Sequence, residues 1–197
     1  MSKAVWKPGT LLAPVPAVMV SCGTMEKSNI ITIAWTGIVN SDPAMTYISV
    51  RPSRYSYDLI KESGEFVINL TTEKLIRATD LCGVKSGRDE DKFQLAKLTK
   101  EPASQLSCPM IAESPVSLEC RVKQILPLGS HDMFLAEIVA VNVDEALLDE
   151  KGKLHLARAG LMSYAHGEYF GQGRRLGSFG CSVRKKPASG KKTPRKK

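Results

Sequence analysis

Two neighbouring segments with alternating polarity constrain the fold of this chain more than any other feature. Between residues 115 and 126, apolar and polar side chains alternate. The apolar members are Val116, Leu118, Cys120 and Val122. A second apolar run covers 133–143, and the polar stretch PLGSHD (127–132) separates the two. Because a period of two is typical of a strand with one solvated face, the pair predicts two long strands joined as an antiparallel hairpin.

Further strands are predicted along the rest of the chain. Apolar, β-branched runs place them at 15–21, 30–35, 45–50 and 65–70. Short helices are predicted over 57–63, with Gly64 as the C-terminal cap, and from 71 to about 82. Irregular structure is predicted for 83–112 and 144–180. Strands that follow one another as hairpins, without regular alternation with helices, favour a mainly β fold: a small antiparallel barrel with short inserted α-helices.

The net charge is concentrated at one end of the chain. The formal charge is +8, but eight of the 28 Lys and Arg residues lie in 184–197, where there is no acid. The remaining 20 basic residues are balanced by 20 acidic ones, so residues 1–183 present no net basic field for a nucleic acid. We therefore expect one domain over 1–183 and a disordered basic tail over 184–197. The tail either attracts polyanions weakly or only increases solubility.

The cysteines and histidines predict neither a metal site nor a disulfide framework. The five cysteines are widely spaced and contain no C-x-x-C pair. His155 and His166 have no Cys or acidic partner at metal-ligand spacing, so no metal is expected. Buried thiols in a reduced, cytoplasmic protein are the prediction. The apolar stretch 11–22 is too short to cross a bilayer and its prolines would break a signal helix, so neither membrane insertion nor secretion is expected.

A cluster of hydrogen-bond donors follows the third predicted strand. The segment TYISVRPSRYSYDLI (46–60) passes from strand to helix through Arg51, Ser53, Arg54 and Ser56. A helix N-terminus carries unpaired N–H groups and partial positive charge, and arginine suits phosphate through its planar fork. The cluster therefore predicts an anion site. The alternative is a helix capped by a serine, with two surface arginines in ion pairs.

The run from residue 29 to residue 70 resembles the flavin reductase-like, FMN-binding split-barrel family, nearest its flavoredoxin and ferric reductase-type branch. The pieces that carry the likeness are Ala34-Trp35-Thr36, Val50-Arg51-Pro52-x-Arg54-Tyr55-Ser56 and Gly64 to Leu70. Weaker likeness continues at Asp91-Lys92-Phe93, Gly129 to Asp132 and Gly167 to Phe170, so that it covers most of 10–180. The resemblance implies an antiparallel split β-barrel of Greek-key type that forms a homodimer, with FMN near the interface.

The resemblance also implies which residues bind FMN, in three groups along the cofactor. The isoalloxazine ring would lie along Ala34, Trp35 and Thr36. The ribityl chain and phosphate would be lined by Ser49, Val50 and Arg51. The phosphate cup would be completed by Arg54, Tyr55 and Ser56. Lys92, together with Lys85, could reach the cofactor from the side or from a partner subunit; the alternative for both lysines is a solvated charged loop.

His131 is the catalytic candidate. The resemblance places it near the nicotinamide of NAD(P)H, although the order here is Gly-Ser-His-Asp where related reductases have a Gly-Asp-His type motif. The alternative is a turn residue hydrogen-bonded to Asp132. The implied activity is hydride transfer from NAD(P)H to bound flavin, with electrons passed to free flavin, ferric iron or a redox protein. A flavoredoxin-like electron-transfer protein without NAD(P)H activity is the alternative.

Overall fold

Seven antiparallel strands form the main sheet of the structure, a computed structural model that describes residues 1–183. They are β2 (Val18–Gly23), β3 (Ser28–Ile33), β4 (Thr36–Ser41), β5 (Ala44–Val50), β6 (Glu65–Leu70), β9 (Val116–Pro127) and β10 (Asp132–Val143). Their order across the sheet is β3-β2-β6-β9-β10-β5-β4. The mainly antiparallel β architecture is thus confirmed, as is the long β9–β10 hairpin. The predicted basic tail, 184–197, lies outside the described residues.

The remaining strands form two small sheets beside the main one. Antiparallel β1 (Val15–Pro16), β11 (Met162–Ala165) and β12 (Glu168–Gly171) make a three-stranded sheet, and β7 (Lys100–Glu101) pairs with β8 (Met110–Ile111). The three-stranded sheet is attached to the barrel because Thr71 accepts a backbone hydrogen bond from Met162 and Glu73 donates one to Gly160. The prediction of irregular structure over 83–112 and 144–180 was therefore wrong at these short strands.

Three α-helices connect the strands. They are α1 (Tyr55–Ser63), α2 (Ile76–Val84) and α3 (Lys92–Leu95), and single 3-10 turns lie at Glu73–Leu75, Glu145–Leu147 and Leu156–Arg158. The predicted cap at Gly64 is confirmed: its φ is 68° and its N–H donates to Ile60 O at 2.9 Å. α1 buries Tyr57 and Ile60 in the barrel core, so its N-terminal end is fixed at one end of the barrel.

The core has two main layers because β2 is buried on both faces. Val18, Val20 and Cys22 point into the barrel interior with Phe66 and Phe134, all at most 1% exposed. Met19 points the other way, into a second cluster formed with α2 and α3. The members of this second cluster are Met19, Ile30, Ala78, Cys82, Phe93, Leu98 and Ile111. Helices α2 and α3 are thereby held against the outer face of the barrel, next to β3.

One strand, β4, was missed by the sequence prediction. The predicted strand 30–35 ends at Ile33, and β4 covers Thr36–Ser41, where no strand was predicted. Ala34 and Trp35 form a bend between β3 and β4, and Ser49 N donates to Trp35 O at 2.9 Å, which holds the bend against β5. This break between two strands opens the barrel wall at the site described below.

Four of the five cysteines, all except Cys181, are buried. Burial raises the pKa of Cys22 and Cys82 to about 11 and that of Cys120 to about 12, so these thiols are protonated and unreactive at neutral pH. Among the helices within 1–183, none has the length and apolarity needed to cross a membrane.

Candidate flavin site

A cavity of about 450 Å³ lies where the β3–β4 bend opens the barrel wall. The end of β5, the end of α2, the β9–β10 loop and the β11–β12 hairpin complete its walls. The predicted residues that line it are Ala34, Trp35, Ser49, Val50, Arg51, Arg54 and His131. The structure therefore brings together two predicted groups, one around Trp35 and one around Arg51, with His131.

Aromatic rings form one wall of this main cavity. The Trp35 and His131 ring centroids are 4.3 Å apart, with the rings tilted by 44°, and the Trp35 side chain remains 44% exposed. Thr36 lies differently: it is buried, and its hydroxyl donates to Tyr47 O at 2.6 Å, so it supports the bend from behind. Of the three predicted ring-contacting residues, the structure places Ala34 and Trp35 on the cavity wall but not Thr36.

The surroundings of His131 favour the neutral form of its imidazole. Burial lowers the pKa of His131, and the nearby charges of Arg51 and Arg54 lower it further. Its Nδ1 lies 3.0 Å from the Ser130 hydroxyl. Asp132 accepts a 2.5 Å hydrogen bond from the Tyr57 hydroxyl. The side chain of Asp132 is thus bonded to Tyr57, whereas the alternative interpretation of His131 as a turn residue requires a bond between His131 and Asp132.

A second, smaller cavity of about 60 Å³ adjoins the main one at the N-terminus of α1. Ile31, Arg54 and Gly83 line both cavities. The polar residues on the wall of the smaller cavity are Asn29, Ser53, Arg54, Ser56, Lys85, Ser86, Arg88 and Lys92. We call this smaller cavity, with its polar wall, the anion pocket. Four of these side chains are basic and the wall carries no acid, so its electrostatic character is cationic.

The first turn of α1 receives no hydrogen bond from a side chain. Its N-cap residue is Arg54, and the Ser56 hydroxyl accepts instead from Asn29 Nδ2 at 2.8 Å. The interpretation of a serine-capped helix is thus wrong, because Ser56 is already fully buried inside the first turn. Within residues 1–183, neither Arg51 nor Arg54 forms an ion pair, so both charges are available to a ligand.

Lys92 is buried beside the anion pocket, 4% exposed. Its Nζ donates to Ile30 O and Cys82 O, both at 2.8 Å. Burial lowers the pKa of Lys92. An ammonium has three N–H donors, so one remains beyond these two bonds. Lys92 is the first residue of α3, in a segment that was predicted to be irregular. The alternative interpretation, a solvated charged loop, therefore does not describe Lys92.

The loop after α2 supplies pocket residues that the sequence prediction did not single out. Arg88 Nη1 donates to Ser53 O at 3.0 Å, and its guanidinium lies 5.8 Å from the centre of the Tyr55 ring. A Cβ on Gly87 would lie 2.2 Å from Asn29 Oδ1 of β3 and 2.7 Å from Tyr55 Cδ1 of α1, so only glycine allows the loop to approach β3 and α1 this closely. The sequence signal was a glycine flanked by Ser86 and Arg88, which marks a turn but not its tertiary neighbour.

The far wall of the main cavity was also missed. Tyr164 and Tyr169 of the β11–β12 hairpin line it, with ring centroids 5.4 Å apart. The Tyr169 hydroxyl lies 3.4 Å from Asp80 Oδ1, and Asp80 also lines the cavity. The GEYF segment around Tyr169 carried only weak family likeness, and nothing local linked it to Asp80. In the described part of the chain, no group of three or more His, Cys, Asp or Glu residues is arranged to hold a metal.

An antiparallel barrel with an aromatic-walled cavity beside a cationic helix N-terminus defines a class of protein, the flavin-binding split barrels. The flavin reductase like domain matches residues 11–172, and the chain belongs to this family. Its resemblance to that family, inferred from 29–70, is thereby confirmed.

The relatives agree with this assignment. An uncharacterized protein of Archaeoglobus fulgidus is 33% identical over 140 residues, which are 71% of this chain and 78% of the relative. The chain is structurally similar to flavoredoxin of Desulfovibrio vulgaris, with a TM-score of 0.85 and 28% identity over 93% of this chain and 100% of that one. Flavoredoxin from Methanosarcina acetivorans gives the same TM-score of 0.85 and the same coverages, at 26% identity. The split-barrel fold is therefore confirmed.

Proposed function

We propose that the protein is an FMN-dependent oxidoreductase that takes hydride from NAD(P)H and passes electrons to free flavin, ferric iron or a redox protein. The observation that carries the proposal is the anion pocket: an α1 N-terminus without a side-chain cap, surrounded by four basic residues, at one end of the main cavity. A phosphate monoester carries about two negative charges, which suits this donor set.

Different residues of the chain suit the different parts of FMN. The phosphate would be held by the free N–H groups of α1, by Arg54, Lys85 and Arg88, and by the remaining Nζ donor of Lys92. Arg51 and Ser49, on the wall of the main cavity, suit the hydroxylated chain. The main cavity, with Trp35, Ala34 and Val50, offers an apolar wall for a ring system.

When bound, FMN supplies the hydride-accepting chemistry, and the protein contributes position and electrostatics. His131, whose lowered pKa favours the neutral imidazole, adds a polar edge to the cavity beside Trp35. This arrangement supports a role for His131 in orienting the hydride donor. Arg51 and Arg54 stabilise negative charge at the same end of the cavity.

A flavoredoxin-like electron carrier without direct NAD(P)H activity is the second candidate. The structural likeness to two flavoredoxins and the Gly-Ser-His-Asp order at residues 129–132 favour it. Rapid mixing of the oxidised, FMN-loaded protein with NADH and with NADPH separates the two functions. Fast bleaching of the flavin absorbance supports the reductase; an unchanged spectrum with both nucleotides, in protein that dithionite reduces normally, supports the carrier.

Flavin titrations test the proposed site. FMN should bind more tightly than riboflavin, because only FMN carries the phosphate. Arg54→Ala should weaken FMN binding by about 1.5–3 kcal/mol, the usual contribution of a hydrogen bond to a charged group, and should leave riboflavin binding almost unchanged. Arg77→Ala, which removes an exposed arginine of α2 outside both cavities, is the matched control. Equal affinities for FMN and riboflavin in the parent protein would refute the phosphate site.

A further inference from the structure

Asp80 is the one acidic side chain among the described residues that line the main cavity. The same cavity is lined by Arg51 and Arg54, and the adjoining anion pocket carries four basic side chains and no acid. Because a carboxylate repels the anion that these cations attract, Asp80 opposes the binding of a phosphate-bearing ligand. Within residues 1–183, Asp80 forms no ion pair that would neutralise it. The phosphate contacts therefore leave Asp80 without a role.

The Tyr169 hydroxyl is the polar neighbour of Asp80 on the cavity wall. It lies 3.4 Å from Asp80 Oδ1, which is longer than an ordinary O–H···O bond, so the hydroxyl can turn to a better acceptor at little cost. Burial, and then the charge of Asp80, raise the pKa of Tyr169, so the hydroxyl keeps its proton at neutral pH. The pair thus presents one acceptor, the carboxylate, next to one donor, the phenol.

The pair lies away from the junction of the two cavities. Asp80, Gly83 and Val84 line the main cavity at the i, i+3, i+4 spacing of one face of α2. Gly83 also lines the anion pocket, whereas Asp80, about 4.5 Å nearer the N-terminus of α2, does not. Tyr164 and Tyr169 line only the main cavity as well. A ligand with its phosphate in the anion pocket therefore meets Asp80 and Tyr169 with another of its parts.

We propose that Asp80 and Tyr169 recognise the imide edge of the flavin ring: the carboxylate accepts a hydrogen bond from the ring N3–H, and the phenol donates to an adjacent ring carbonyl. This inference rests on the proposed function. The isoalloxazine ring of oxidised flavin has a single N–H, at N3 between two carbonyl groups, and its other polar atoms only accept. The acceptor and donor of the pair match that edge, and the dimethylbenzene end of the ring has no polar atom to match them.

Two consequences follow for a flavin bound in this way. The pyrimidine end of the ring lies against α2 and the β11–β12 hairpin, so the dimethylbenzene end points away from them. The Asp80 carboxylate also opposes the negative charge that the ring gains on reduction. Asp80 therefore favours oxidised over reduced flavin and lowers the midpoint potential of the bound flavin.

Two substitutions at Asp80 separate the hydrogen bond from the charge. Asp80→Asn keeps a side-chain carbonyl that can accept from N3–H but removes the charge, whereas Asp80→Ala removes both. The probes are FMN and its N3-methyl derivative, which has the same phosphate but no N3–H. The parent protein should bind FMN about tenfold more tightly than N3-methyl FMN, or better. D80N should keep a preference for FMN, and D80A should lose it.

The donor and the charge have their own measurements. Tyr169→Phe should weaken FMN binding by roughly three- to tenfold, the loss of one neutral hydrogen bond. In equilibration with a dye of known potential, D80N and D80A should both favour reduced flavin by roughly tenfold relative to the parent protein, which is about 30 mV upward for a two-electron couple. Glu168→Gln removes an exposed carboxylate of β12 outside both cavities and should change neither the preference nor the potential.

The outcomes separate this inference from the proposed function. Asp80 is exposed and Tyr169 half-buried, and unchanged thermal midpoints without flavin verify the fold of the variants. Equal affinities of the parent protein for FMN and N3-methyl FMN overturn the inference while the flavin site stands. So does a preference that survives in D80A, a midpoint potential in D80N no higher than in the parent protein, or an unchanged FMN affinity in Tyr169→Phe. A parent protein that binds no FMN refutes the proposed function and the inference together.

Discussion

The hydrogen bond from Tyr57 to Asp132 connects the helix at the anion pocket with the loop that carries His131. The Tyr57 side chain is 7% exposed and its hydroxyl lies 2.5 Å from Asp132 Oδ2. A hydrogen bond to a charged group contributes about 1.5–3 kcal/mol, and water can partly replace the lost donor because Asp132 is only half-buried. Tyr57→Phe should therefore lower the free energy of unfolding by about 1–2 kcal/mol.

Urea denaturation measures this change, with the midpoint lowered and the slope unchanged. Tyr47→Phe is the control, since the Tyr47 hydroxyl makes no side-chain hydrogen bond within residues 1–183. If Tyr57→Phe and Tyr47→Phe unfold at the same urea concentration, the bond contributes nothing and the reasoning is refuted. Under the proposed function, Tyr57→Phe should also slow flavin reduction by NAD(P)H, because the loop that holds His131 loses its link to α1.

The same bond predicts a dependence on alkaline pH. Hydrogen bonding to Asp132, then burial, raises the pKa of Tyr57 above its ordinary value. Between the ordinary tyrosine pKa and the raised pKa of Tyr57, the unfolded chain has already lost the phenol proton while the folded protein still holds it. The stability from the bond is therefore fully present below the ordinary tyrosine pKa and is lost as the pH rises through the raised one. Denaturation across this range should show the loss in the parent protein and not in Tyr57→Phe; parallel pH profiles would contradict the assignment.

Two further predictions concern a buried carboxylate and a close backbone approach. Glu119 is fully buried and accepts four hydrogen bonds. Burial raises its pKa but these bonds outweigh burial, so the net shift is downward and its contribution to stability is lost as the pH falls below the ordinary glutamate value. Glu119→Ala should cost about 3 kcal/mol or more in urea denaturation, whereas Glu113→Gln, at an exposed carboxylate, should cost under about 1 kcal/mol. Gly87→Ala should force the loop away from α1 and reduce the preference for FMN over riboflavin in titrations, while Gly173→Ala, which meets nothing within 4 Å, should not; an unchanged preference would remove the loop from the anion pocket.

Local pattern predicted the two longest strands, although the expected solvated face of β9 is wrong at its start, where Ser117 and Glu119 are buried. β9 and β10 are twelve residues each, long enough for their alternation and polar connection to be unambiguous. β4 was missed because its residues from Ile38 to Ser41 are all exposed and its two large apolar residues, Ile38 and Val39, are adjacent, so the alternation that marks a strand is absent. β11 and β12 have only four residues each, too few for a period of two to stand out.

The candidate site was predictable only where its residues are contiguous. The strand-to-helix junction at 50–56 contains arginines, serines and a helix start within one short segment, so its chemistry can be recognised without knowing the fold. Lys92 sits in the segment DEDKF, which has the composition of a solvated loop. Its burial depends on the carbonyls of Ile30 and Cys82, which are distant in sequence. Such contacts arise from tertiary packing and leave no local pattern.

The barrel core explains why the anion pocket can keep an uncapped helix end. Free N–H groups at a helix start are ordinarily satisfied by a side chain, and leaving them open weakens the helix by about 1 kcal/mol. In this chain α1 is held instead by Tyr57 and Ile60, which are buried in the barrel core, and by its αL cap at Gly64. Packing thus fixes the position of the helix while its N-terminus stays open to a ligand. The donors that the proposed phosphate would need are therefore already in place, and little ordering would have to accompany its binding.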